Sequence, residues 1–102
     1  MLVRTMGSRP DEHVLAGTAA VVTGGGSGVG EASARELAAH GARVMLVGRT
    51  EAKLARVSAA INAGGSVADG FACDVAEPQQ VQALRDYTTV RFGTPQILIN
   101  GA

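Results

Sequence analysis

The sequence predicts an α/β protein built on a small parallel sheet, and three observations carry that prediction. The runs Ala19–Thr23, Arg43–Val47 and Gln96–Asn100 have apolar interiors with no alternation of polar residues, as strands do when both faces are covered. The segments between strands show helical spacing, with apolar or small residues on one stripe and charges on the other. Glycine or proline stands at most junctions. Strands alternating with helices require crossover connections, so the sheet is parallel and the crossovers right-handed.

With 102 residues, the chain can form one small domain. Residues 1–13 show no periodicity and are expected to form a flexible arm, with His13 solvated in it and Met6 an alternative start. The first strand is Ala19–Thr23. A helix is predicted over Gly30–His40, with Ser33, Leu37 and the small Ala34 and Ala38 inward, and Glu31, Arg35 and Glu36 outside. Gly41 is its stop, and His40 complements the helix dipole. Arg43–Val47 is the second strand, ending at Gly48-Arg49. Thr50 is positioned to cap a helix over Glu51–Ala63, whose inner stripe is Leu54, Val57, Ser58 and Ile61. Gly64-Gly65 ends it. A weaker strand covers Val67–Cys73. Pro78 suits the first turn of a third helix running to Arg91, with Val81, Leu84 and Thr88 inward. Phe92-Gly93-Thr94-Pro95 breaks that helix before the fourth strand, Gln96–Asn100.

Composition excludes several function classes. Nine basic residues balance nine acidic ones, so there is no broad electrostatic footprint for nucleic acid or an anionic membrane surface. No apolar run approaches the roughly 20 residues needed to span a bilayer. A single cysteine rules out an internal disulfide framework and fits a cytoplasmic location. Cys73 is expected to be a small buried hydrophobe. No residue pattern suggests a metal site.

The stretch Thr23-Gly24-Gly25-Gly26-Ser27-Gly28-Val29-Gly30 carries the chemistry. Glycines between a buried strand and a helix let backbone approach a ligand with no Cβ in the way. The following helix directs its free N–H groups and positive dipole end at the loop, which favours a phosphate. A nucleoside triphosphatase loop would need Lys and Ser/Thr where Glu31 and Ala32 stand, and an acid there repels phosphate. The G-x-G-x-x-G fingerprint also fails, because its third glycine would fall on Val29 or Glu31. The spacing that fits is T-G-x-x-x-G-x-G. The plain alternative is a glycine-rich turn with no ligand.

In that spacing the chain resembles the N-terminal part of the short-chain dehydrogenase/reductase family. Leu15-Ala16-Gly17 is similar to the family's lead-in before the first strand, and Cys73-Asp74-Val75 to its "D-V" after the third. Phe92-Gly93 with Ile97-Leu98-Ile99-Asn100-Gly101-Ala102 is similar to its "F-G-x-x-D-x-L-V-N-N-A-G". Gln96 and Gly101 depart from that last pattern, where Asp and a second Asn are usual. The resemblance implies a Rossmann-type partial sheet, β-α-β-α-β-α-β in strand order 3-2-1-4, with residues 14–102 as the N-terminal half of a dinucleotide-binding domain. It implies cofactor contacts from Gly24, Gly26, Ser27, Gly28, Val29 and Gly30, with Asp74 accepting from the adenine amino group and Val75 packing on its ring. Asn100 would tie the fourth strand to the loop and ribose. The plain alternatives are a helix-start acid for Asp74 and a strand-end turn residue for Asn100.

At the end of the second strand a dinucleotide fold usually places a carboxylate for the ribose hydroxyls. Gly48 stands there instead, followed by Arg49, whose guanidinium can clamp a 2′-phosphate. The expected cofactor is therefore NADP(H), with NAD(H) second; the alternative for Arg49 is an exposed loop arginine. The family's Ser and Tyr-x-x-x-Lys come after the fourth strand, so no catalytic residue is assigned here. Tyr87 and Arg91 have the Tyr/Lys spacing but lie on the third helix, where Tyr87 is read as a packing residue. The implied activity is NADP(H)-dependent carbonyl–alcohol or enoyl oxidation–reduction. A small-molecule substrate enters only with a catalytic half expected to be missing. The triple-glycine loop with Gly48-Arg49 is similar to the enoyl- and dienoyl-thioester reductase branch. The alternatives are a non-catalytic dinucleotide-binding module and an unstable truncated remnant. The fourth strand, with Ile97, Leu98 and Ile99, is an open edge expected to promote self-association.

Overall fold

A computed structural model describes residues 14–101; the expected arm, with Met6 and His13, and Ala102 lie outside the described residues. The element order is β1 (Ala19–Thr23), α1 (Gly28–Ala39), β2 (Arg43–Gly48), α2 (Glu51–Ala63), β3 (Val67–Ala72), α3 (Pro78–Phe92) and β4 (Ile97–Asn100). The strands form one parallel sheet in the order β3-β2-β1-β4.

The continuous apolar strands are explained by burial on both faces, with successive side chains going to opposite sides. From β1 and β2, Ala20, Val22, Val44 and Leu46 join Ala34 and Ala38 of α1 and Leu54, Val57 and Ile61 of α2 in one cluster. Ala19, Val21, Met45 and Val47 face the other way and pack with Leu84 and Phe92 of α3 and Cys73. Alanine at 34 and 38 leaves little between α1 and the sheet, so the helix sits close over β1 and β2. The two inner stripes predicted for α1 and α2 are the faces that bury, with Ser33, Leu37 and Ser58 half-buried. On α3, Leu84 and Thr88 are buried and Val81 half-buried.

Several boundaries differ from expectation. Helix α1 begins at Gly28, two residues earlier than predicted, because Gly28 (φ +59°) turns the chain directly out of the extended Ser27. Thr50 sits at the α2 N-cap but its hydroxyl makes no capping bond; its carbonyl alone serves Lys53 N and Leu54 N, at 3.1 and 3.3 Å. β3 ends at Ala72, although Cys73 N continues the ladder to Gly48 O at 2.8 Å. α3 takes in Phe92, whose ring is buried, and stops at Gly93 with φ +93°.

β4 also starts one residue late, yet Gln96 ties its entry to β1 twice. Its N–H donates to Ala19 O (2.9 Å) and its Oε1 accepts from Ala19 N (3.1 Å). This amide takes the place of the aspartate expected there. The fourth strand is an edge among the described residues, but its apolar side chains are not equivalent. Ile97 and Ile99 pack against the α1–α2 side, whereas Leu98 is 70% exposed on the α3 side. His40 is the C-cap of α1, with its Nε2 3.1 Å from Glu36 Oε2 and its Nδ1 buried without a partner.

Candidate dinucleotide site

The site lies beyond the C-terminal ends of β1 and β2, where the glycine loop turns into α1. Gly24 adopts φ +68°, a region that side-chain-bearing residues avoid. Gly25 N donates to Val47 O at 3.1 Å, pulling the loop over the end of β2. Gly30 is the tightest point. A Cβ built there would stand 2.0 Å from Gly24 O and 2.5 Å from Gly24 C, both backbone atoms that cannot move aside alone. The loop therefore folds back on the first turn of α1 with backbone against backbone.

Ser27, Gly28 and Val29 are exposed at that turn, Val29 at 71%. The Ser27 hydroxyl forms no cap, so it leaves the first-turn N–H donors free for solvent or an anion. A cleft of about 450 Å³ runs from Thr23 and Gly24 past Gly48 and Arg49 to Asp74 and Val75. A smaller hollow of about 140 Å³ adjoins it, lined by Gly26, Ser27, Gly48, Arg49, Thr50 and Lys53. Arg49 is exposed and has no hydrogen bond or ion pair among the described residues.

Asp74 spends one oxygen locally: Oδ1 accepts from Ala76 N at 2.9 Å, while Asp74 N donates to Gln80 Oε1 at 2.7 Å. The turn this builds holds Val75 outward, 52% exposed beside the cleft. Cys73 is buried in the wall, and burial, aided by the Asp74 charge, pushes its thiol pKa up. Asn100 lies in register with Thr23, whose hydroxyl donates to Asn100 Oδ1 at 3.1 Å and approaches Ile99 O at 3.3 Å.

The structure brings Gly24, Arg49, Asp74 and Val75 together on one cleft and Gly26, Ser27 and Arg49 on the adjoining hollow. Gly28, Val29 and Gly30 form the α1 turn next to them, and Asn100 supports the loop from β4. Sequence reasoning missed Gly101. A Cβ there would lie 2.7 Å from Gly30 Cα and 3.0 Å from Thr23 O. The residue that departs from the expected motif is thus packed on the loop it follows. It missed Arg56 too, whose Nη2 donates to Gly26 O (3.3 Å) and lies 3.5 Å from Glu31 Oε1. A signal for Arg56 was its place on α2, two turns after Arg49. Glu31 is bonded by Arg35, whose guanidinium holds the carboxyl below the ordinary carboxylate range.

Tyr87 and Arg91 line neither cleft. The Tyr87 hydroxyl donates to Asp69 Oδ2 at 2.6 Å and Arg91 Nε to the same oxygen at 2.9 Å. The Tyr87 ring also packs on Phe71, centroids 5.4 Å apart. The bond to Asp69 pushes the tyrosine pKa up. Among the described residues, no cluster of His, Cys, Asp or Glu could hold a metal ion, and no helix is long and apolar enough to cross a membrane.

This arrangement of a parallel sheet in the order β3-β2-β1-β4 with helices between the strands is a partial Rossmann-type α/β fold. The short chain dehydrogenase family profile matches residues 18–102, and the chain belongs to that family. It is 43% identical over 83 residues to the short-chain reductase protein NovJ of Streptomyces niveus, covering 81% of this chain and 32% of that protein. Among solved structures it superimposes on the citronellol catabolism dehydrogenase AtuB of Pseudomonas aeruginosa with a TM-score of 0.80. The two are 40% identical, with 89% of this chain and 37% of the other covered. The L-sorbose reductase of Gluconobacter frateurii, complexed with NADPH and L-sorbose, gives a TM-score of 0.83 at 34% identity, covering 90% of this chain and 35% of that one. The chain spans about a third of the length of the curated relatives it matches.

Proposed function

We propose that this chain is the cofactor-binding part of an NADP(H)-dependent oxidoreductase that interconverts carbonyl and alcohol groups or reduces enoyl groups. The observation that carries the reading is the backbone contact between Gly24 and Gly30. It leaves a cradle that any side chain would fill, next to a cleft wide enough for a nucleotide. The loop glycines and the first turn of α1 (Gly28, Val29, Gly30) receive the diphosphate. Asp74 and Val75 receive the adenine, Arg49 receives the 2′-phosphate, and Asn100 keeps β4 against the loop.

The bound cofactor supplies the hydride; the residues of this chain bind and orient it. Substrate contact and proton transfer fall to parts of the whole protein outside this chain. The NADPH complex of the L-sorbose reductase supports the choice of cofactor, and a single buried cysteine suits the cytoplasm.

Fluorescence titration with NADPH and NADH tests the proposal. NADPH should bind more tightly, and Arg49→Ala should weaken it about tenfold while leaving NADH unchanged, the scale of one exposed charge-assisted contact. Equal affinity for the two in the unaltered chain, or no loss in the variant, would overturn the NADP(H) assignment.

A further inference from the structure

We propose that Lys53 is a second specificity-determining cation, acting with Arg49 on the 2′-phosphate; this rests on the reading of the cleft as an NADP(H) site. Many of the chain's other basic side chains are already held. Arg35 is committed to Glu31 at 2.8 Å, Arg43 to Gly17 O at 3.2 Å and Arg91 to Asp69 at 2.9 Å. Arg56 bridges Gly26 O and Glu31. Lys53, like Arg49, is exposed, and its side chain makes no hydrogen bond or ion pair among the described residues. These two cations line the same hollow of about 140 Å³, together with Ser27 and Thr50.

The placement of Lys53 follows from helix geometry. It lies in the first turn of α2, with Lys53 N bonded to Thr50 O. Its Cβ would come within 3.0 Å of a Cβ built at Gly26. The α2 turn therefore rests on the glycine loop, with the Lys53 Cβ and Leu54 Cδ2 against the position that Gly26 leaves without a side chain. The ammonium on a flexible four-carbon stem can reach an anion held beside Arg49. A planar guanidinium and a mobile ammonium approaching one phosphate from two elements divide the task, the first by fork geometry and the second by charge. The nearest acid on α1, Glu31, is already bonded by Arg35 and Arg56 and does not compete for Lys53.

Titrations of the full chain with NADPH and NADH, for Lys53→Ala, Lys53→Arg and Arg56→Ala beside Arg49→Ala, test this. Lys53→Ala should weaken NADPH about tenfold, leave NADH within twofold and flatten the salt dependence of NADPH binding. Lys53→Arg should restore most of the loss. Arg56→Ala, which loosens the loop rather than the phosphate, should weaken both cofactors alike. Melting curves identify any variant that fails to fold, and for such a variant Lys53→Gln is read in its place. If Lys53→Ala weakens both cofactors equally, or neither, while Arg49→Ala still discriminates, this inference falls and the NADP(H) assignment stands. If Arg49→Ala discriminates nothing, the assignment itself fails and Lys53 with it.

Discussion

Replacing Gly30 by alanine would test whether backbone contact organises the site. The added carbon would meet Gly24 O at 2.0 Å, Gly24 C at 2.5 Å and Gly25 N at 3.1 Å. Ordinary carbon–oxygen contact lies well above 3 Å, so the loop must move by more than 1 Å relative to α1. No flexible side chain is there to absorb the shift, since all three of these neighbours are main chain. Alanine gains about 1 kcal/mol over glycine in a helix, while forced overpacking costs about 1–3 kcal/mol or more. At 2.0 Å from backbone the upper end applies, for a net loss of about 2 kcal/mol. For a domain of this size that is a fall in melting temperature of about 8–16 °C. Gly28→Ala is the comparison: φ is +59° but no atom lies within 4 Å, so strain alone of about 1–2 kcal/mol is expected. The assay is thermal unfolding of both variants with and without NADPH. Gly30→Ala should lose the stabilisation that cofactor gives. A Gly30→Ala protein that melts within 2 °C of the parent and is still protected by NADPH would refute the close-contact argument.

Two further predictions concern the edges of the sheet. At Asp69, burial opposes ionisation, but the bonds from Tyr87, Gly70 N and Arg91 outweigh it and hold the carboxyl below its ordinary pKa. A depressed native pKa stabilises the fold above the unfolded value of about 3.9 and is lost as pH falls through the native one. Asp69→Asn should therefore cost about 1 kcal/mol at pH 6.5, read as a shift in urea midpoint, and the difference from the parent should vanish by about pH 2–3. A pH-independent difference would count against it; Glu31, lowered by its bond from Arg35, keeps part of the acid slope in both proteins. At the other edge, Leu98→Lys should reduce self-association in sedimentation velocity without changing affinity for NADPH, because Leu98 is the exposed apolar residue of β4. A parent chain that sediments as a monomer would refute the expected self-association.

The fold was legible because its signals are local and redundant. Each strand is a short apolar run, each helix an amphipathic stripe, and the junction glycines mark the turns, so the order β3-β2-β1-β4 followed once the family resemblance was drawn. The loop positions were legible for the same reason, since glycine spacing is a backbone property. What escaped reading was contact between elements far apart in sequence. Gly101 reads as a motif departure until β4 is laid beside β1 and its position closes on Gly30. Asp69 reads as a polar interruption in a weak strand until α3 delivers Tyr87 and Arg91 to it. Thr50 has the right residue type for a cap, yet side-chain type does not determine whether a hydroxyl turns inward, and here it does not. Lys53 carries no motif; only the hollow shows that it shares a wall with Arg49.

The cradle depends on β4 more than its edge position suggests. Thr23 is the last residue of β1 and the entry to the glycine loop, and its polar groups are spent on β4. Its carbonyl accepts from Gly101 N at 3.0 Å, and its hydroxyl donates to Asn100. Gly101 in turn lies against Gly30, the residue that closes the loop. The chain of contact is therefore β4 to Thr23, Thr23 to the loop, and the loop back through Gly30 to Gly101. A strand paired on one side only is the first part of a sheet to fray, so an opening of β4 removes both the hydrogen bonds that orient Thr23 and the backbone that Gly30 packs against. Anything that covers the Leu98 side of β4 thereby also holds the glycine loop in place. The two properties are coupled through a single turn of backbone, because at Gly30 and Gly101 there are no side chains between them.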